Sequence, residues 1–109
     1  MDFEEYQKLT KETAIYPKIK DNFIYPTLGL VNEAGEVAGK IKKIYRDDDG
    51  VLTDERRAMI KKEIGDVLWY TAQLCTDLDL SLDDVASSNI KWLAGRKERG
   101  TIHGDGDNR

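Results

Sequence analysis

Apolar residues recur at three- and four-residue steps through most of this chain, the periodicity of helices with one dry face. Phe3, Tyr6 and Leu9 predict a first helix capped by Asp2 and running through about Thr13. Pro17 and Lys18-Ile19-Lys20-Asp21-Asn22 read as a connection. Leu30, Val31, Ala34, Val37, Ala38, Ile41, Ile44 and Tyr45 fall on one broad arc at roughly 100° per residue. They predict a second helix from Leu28 to Tyr45, with Pro26 at its opening and Thr27 as its cap. Asp47-Asp48-Asp49-Gly50 is a turn by composition, a solvated loop without the spacing of a calcium-binding EF-hand. A third helix is expected from Thr53 or Asp54 to about Asp79, with Asp54 and Glu55 at its positive end. Ile60, Ile64, Val67, Leu68, Thr71, Leu74, Cys75 and Leu78 form its dry stripe. Ser81 with Asp84 resembles a capping box for a fourth helix, which carries Leu82, Val85, Ala86, Ile90 and Leu93 and ends near Arg99-Gly100.

The expected fold is all-α, a bundle of about four helices over residues 1–99, with no strand or internal repeat. The glycine- and aspartate-rich tail, 100–109, reads as disordered. Gly29, Gly35 and Gly39 each cost the second helix about 1 kcal/mol relative to alanine. Either they admit a close neighbour or packing rescues a weak helix.

Composition narrows the field. A chain of 109 residues is one domain, small enough that an oligomer would help it bury surface. The balance of 39% hydrophobic and 35% charged residues suits helices with one wet face. A net charge of −4 without a basic face argues against a nucleic-acid polymer as partner. An acidic protein still accommodates a polyphosphate if a divalent cation lies between the two. Cys75 stands alone, so no internal disulfide forms, and its apolar setting reads as core. With an acidic start and no long apolar run, the chain is expected in the cytoplasm and not in a membrane.

Two acidic pairs stand out. Glu33 and Glu36 lie one turn apart on the second helix, and Glu63 and Asp66 one turn apart on the third. Like charges so placed repel unless something positive sits between them. Antiparallel helices joined by a short loop would bring all four carboxylates together at the rim of the core. Oxygen-only ligands there suit a hard cation, Mg²⁺ or Mn²⁺. The plain alternative is four solvated glutamate and aspartate side chains in a chain with 21 acidic residues, and spacing alone does not decide.

The segment from Leu28 to Ala38, with Glu33-Ala34-Gly35-Glu36, followed later by Glu63-Ile64-Gly65-Asp66-Val67-Leu68-Trp69-Tyr70, resembles the ExxE…ExxD signature of the MazG family of nucleotide pyrophosphohydrolases. Asn89-Ile90-Lys91-Trp92-Leu93 with Arg96 is similar to that family's basic motif on the last core helix. The resemblance covers Phe3 to Arg99. It implies a helical bundle assembled as a homodimer or homotetramer, and cleavage of a nucleoside triphosphate to a monophosphate and pyrophosphate. It further implies that Glu33, Glu36, Glu63 and Asp66 ligate Mg²⁺, that Lys91 and Arg96 contact phosphates, and that Asn89 bonds phosphate or sugar. Many members carry EExxE where Asn32 stands here, and asparagine orients a water without taking its proton. The group that activates the water is therefore open. The tail from Arg96 to Arg109 also resembles the ends of small phage-type and bacterial relatives; a glycine-rich basic tail of this kind would either fold over bound phosphates, on its own or a neighbouring subunit, or stay disordered.

Other residues divide between roles. Trp69, Tyr70, Trp92, Tyr16 and Tyr25 are candidates to hold a base, with packing as the alternative. His103, the one histidine, sits in the tail, and without partners no metal or catalytic role is expected of it. Two rival readings remain: a redox-active carboxylate-bridged bundle, which would use Glu-x-x-His pairs that are missing here, and a non-enzymatic helical interaction module.

Overall fold

Side-chain caps fix where the helices begin. Asp2 accepts from the Glu5 N–H at 2.8 Å, Thr53 from Arg56 at 3.1 Å and Ser81 from Asp84 at 3.2 Å. In the computed structural model, which describes residues 1–18 and 22–109, these caps open α1 (Phe3–Thr10), α3 (Asp54–Asp77) and α4 (Leu82–Glu98). A 3₁₀ turn, Lys11–Thr13, continues α1. The second helix, α2 (Ile24–Asp47), starts earlier than the sequence pattern suggests, with Phe23 at the cap position. Pro26 sits in its first turn, where an N–H has no helical partner to lose. The Thr27 hydroxyl donates back to the Phe23 carbonyl at 2.7 Å instead of capping. Of the expected connection, residues 19–21 lie outside the described residues. All elements among the described residues are helical, so the fold is all-α.

The acidic turn after α2 reverses the chain. Asp49 and Gly50 adopt φ of 53° and 74°. Arg56 closes the turn from α3, at 2.7 Å from Asp48 and 3.6 Å from Asp47. The resulting α2/α3 hairpin is the main body of the molecule. On it lies α1, tied down by Gln7. The Gln7 amide donates to Thr76 Oγ1 at 3.1 Å and to the Leu80 carbonyl at 2.9 Å, and accepts from the Leu82 N–H at 2.8 Å. Ala72, Cys75 and Leu82 form a small core beneath Tyr6, so Cys75 is the buried residue its setting suggested.

Much of the expected dry surface is wet in the single chain. Val31, Ile41 and Tyr45 on α2, Ile64 on α3, Leu78 just past its end, and Ile90 and Leu93 on α4 are exposed. The arcs are wider than the neighbouring helices cover: Leu30, Val37 and Ile44 on α2 and Ile60 and Val67 on α3 are buried or half-buried, while other apolar side chains of the same helices have no further layer over them. α4 packs on α1 and α3 through its first turns and then departs from the hairpin. The radius of gyration is 16.9 Å, against about 13 Å for a compact domain of this length. The tail departs from its disordered reading: Arg109 donates to the carbonyls of Thr101, Ile102 and Gly106, closing residues 100–109 into a loop against α4. No helix among the described residues is long and apolar enough to cross a membrane.

Candidate metal centre

Glu63, Asp66, Tyr70, Gln73 and Asp77 recur along α3 at alternating three- and four-residue steps, which places them on one stripe. Glu33 and Lys40 hold the matching positions on α2, two turns apart. Where the stripes meet, Glu33, Glu63 and Asp66 each offer a carboxylate oxygen, and these oxygens lie within 4.8 Å of one another. Partial burial and the charges of Asp66, Glu63 and Glu36 push the Glu33 carboxyl above its ordinary value, and a hydrogen bond to Glu63 adds to the shift. Lys40 supplies one balancing charge, its Nζ 3.7 Å from Glu63 Oε1. One ammonium does not offset three facing carboxylates, and the donor set is all oxygen. The residues therefore fit a hard divalent cation.

Glu36 stands outside this three-residue cluster. It is exposed, one turn along α2, and near enough for its charge to act on Glu33. The expected meeting of four carboxylates is thus a meeting of three, with the fourth at the rim.

An aromatic wall adjoins the carboxylates. Burial and Tyr25, with smaller contributions from the charges of Glu33 and Asp66, raise the pKa of the Tyr70 phenol. Burial and Asp66 likewise raise that of Tyr6 on α1. Tyr16 and Tyr25 stack at 5.0 Å between centroids, and Trp69 meets Tyr16 and Tyr70 edge-on at 6.2 and 5.0 Å. The Tyr16 hydroxyl donates to Asp77 Oδ2 at 2.7 Å, anchoring the wall to the far end of the stripe. A Cβ at Gly29 would overlap the Tyr70 ring, so this glycine admits a close neighbour; Gly35 and Gly39 face open space.

The basic residues of α4 are elsewhere. Asn89 and Lys91 are exposed, and Arg96 donates to the Asp107 carbonyl of the tail at 2.7 Å. The charges that bear on Glu33 are all carboxylates, with no α4 cation among them. Because α4 leaves the hairpin, the single chain does not seat Asn89, Lys91 and Arg96 beside the acidic cluster. Sequence reasoning missed Lys40 and Gln73. Lys40 was legible two turns beyond Glu33 on the same face, whereas Gln73, 1% exposed with an unpartnered Nε2, gave no signal because glutamine is ordinarily a surface residue.

An all-helical hairpin that converges carboxylates beside an aromatic wall defines a class of acidic all-α proteins. Within it, the chain belongs to the MazG nucleotide pyrophosphohydrolase family, whose domain matches residues 26–101 and so spans both acidic pairs and the α4 motif. The chain is also similar to the Gene 37 protein of Mycobacterium phage L5, 49% identical over 114 aligned positions covering all of both chains. No solved structure matches the chain.

Proposed function

We propose that this protein is a divalent-cation-dependent nucleoside triphosphate pyrophosphohydrolase. It would cleave a ribo- or deoxynucleotide between the α- and β-phosphates, giving a monophosphate and pyrophosphate. The observation that carries the reading is the convergence of Glu33, Glu63 and Asp66 from facing helices in a chain of this family.

In this reading Glu33, Glu63 and Asp66 hold Mg²⁺ or Mn²⁺, and Glu36 completes the set by turning its exposed side chain inward. When bound, the cation supplies positive charge for the phosphate oxygens and acidity for an attacking water. Lys40, already paired with Glu63, keeps that carboxylate aimed into the seam. Asn32, exposed beside Glu33, orients water without accepting its proton. Asn89, Lys91 and Arg96 are assigned to phosphate and sugar, with Arg96 offering a planar fork and Lys91 a point charge. Since α4 stands away from the cluster, these three residues are supplied by a second copy in a homodimer or homotetramer. The exposed apolar side chains of α2, α3 and α4 support such an assembly. A cytoplasmic location belongs to the same proposal.

A nucleotide panel incubated with Mg²⁺ or Mn²⁺, with products separated by chromatography, tests it. The expected products are monophosphate and pyrophosphate, and chelation abolishes them. Glu36→Gln and Asp66→Asn should each lower turnover by about 10²-fold or more while helical circular dichroism is unchanged. Release of single phosphates, or full turnover by either variant, refutes the assignment.

A further inference from the structure

Lys40 lies seven residues beyond Glu33 on the same face of α2 and reaches across to the facing helix. Its Nζ stands 3.7 Å from Glu63 Oε1, with the two side chains only 22% and 18% exposed. The other ion pairs among the described residues gather at the hairpin turn, between Arg46 and Arg57. Among the described residues, Lys40 is thus the one cation within ion-pair distance of Glu33, Glu63 or Asp66.

A different partner was available to it. Glu36 precedes Lys40 by four residues, the spacing and order that favour a pair along one helix, and it is exposed. The ammonium instead gives up much of its water to meet Glu63. Only a local excess of negative charge offsets that loss. The excess is present, because the three carboxylate oxygens lie within 4.8 Å of one another. Partial burial and the charges of Asp66, Glu63 and Glu36 push the Glu33 carboxyl up, and no cation figures among the charges that act on it. Lys40 therefore relieves Glu63 and leaves the rest of the cluster crowded.

We infer that Lys40 is a built-in counter-ion of the carboxylate centre, which holds Glu63 in the absence of a divalent cation and competes with that cation for the same carboxylate. The inference rests on the reading of the cluster as a divalent-cation centre. An ammonium and a divalent cation drawn to one carboxylate repel each other, so the lysine weakens the hold on the cation. The same ammonium lets three carboxylates face one another in the cation-free chain. Lysine suits both duties, being a point charge on a flexible stem that can release Glu63 without disturbing the helix. The centre then loads and empties with the free cation concentration.

Removing the lysine separates this role from a structural one, because the two move cation affinity in opposite directions. Mg²⁺ is titrated by calorimetry, without nucleotide, into the full-length parent, Lys40→Met and Lys40→Arg. Lys40→Met keeps the apolar stem and loses the charge. It should bind Mg²⁺ about ten-fold more tightly, and the gain should shrink as KCl is raised. Lys40→Arg keeps the charge and should stay within about two-fold of the parent. In chelator Lys40→Met should melt below the parent, and added Mg²⁺ should raise its Tm by more than it raises the parent's. No Mg²⁺ binding by any of the three, unchanged or weaker binding by Lys40→Met, or equal tightening in Lys40→Arg overturns the proposal. If Lys40→Met does not fold in chelator, recovery of helical circular dichroism on adding Mg²⁺ supports the proposal, and failure to recover overturns it. None of these measurements reads turnover, so a failed cation titration and a failed nucleotide assay are distinguishable.

Discussion

Glu33 carries the electrostatic strain of the molecule. Its folded carboxyl holds a proton more readily than the unfolded chain does, so the native state binds more protons across that window. Stability of the cation-free protein should therefore fall as pH rises from the ordinary glutamate value of 4.5 through the raised one, and recover on acidification through the same range. Two outcomes follow for thermal melts at neutral pH without divalent cations. Glu33→Gln should be more stable than the parent by up to about 1 kcal/mol, a few degrees in Tm. Added Mg²⁺ should raise the parent's Tm and leave the variant's nearly unchanged. An equal response in both would place the cation elsewhere. Glu33, Glu63 and Asp66 were legible in the sequence because paired acids at a helical step stand out. That Glu36 stays at the rim was not, since a wheel gives direction around a helix and not the reach of a side chain. Lys40 was overlooked because an i, i+4 partner for Glu36 is its ordinary reading, while its ion pair is with Glu63 on the facing helix.

At the scale of the elements, boundaries followed their chemistry. Asp2, Thr53 and Ser81 cap where their types suggest. The start of α2 was misplaced because Pro26 and Thr27 look like an entrance, and the preceding turn is built by Phe23, Ile24 and Tyr25, which carry no capping signal. Gln7 shows how a contact distant in sequence escapes pattern reading. One amide joins α1 to the ends of α3 and α4 and gives the Leu82 N–H its acceptor. Gln7→Ala should cost about 1–3 kcal/mol, because that N–H loses its partner in a part-buried place. Urea unfolding should show a lower midpoint with an unchanged slope. A midpoint within error of the parent's would mean that water replaces the amide without loss.

For the whole molecule, the apolar arcs read from the sequence are real, but the single chain covers only part of each: Ile44 and Cys75 are buried while other apolar side chains of the same helices face water. Leu28 and Val31 on α2 are 62% and 68% exposed, Ile64 on α3 is 54%, and a single copy leaves all of them in water. The sequence could not distinguish a stripe meant for the chain's own core from one meant for another copy, since both have the same period. Light scattering on the purified protein should give a mass at least twice 12.4 kDa. Leu28→Glu with Val31→Glu should shift it toward the single-chain value without loss of helicity; an unchanged mass would mean that other faces mediate assembly. A last consequence lies in the seam itself. Two long helices with three carboxylates and one ammonium set between them carry an excess of negative charge there, which a divalent cation would offset. Their backbone amides should exchange with deuterium more slowly when magnesium is plentiful, so that the rigidity of this hairpin becomes a readout of cellular ionic supply as well as of its own residues.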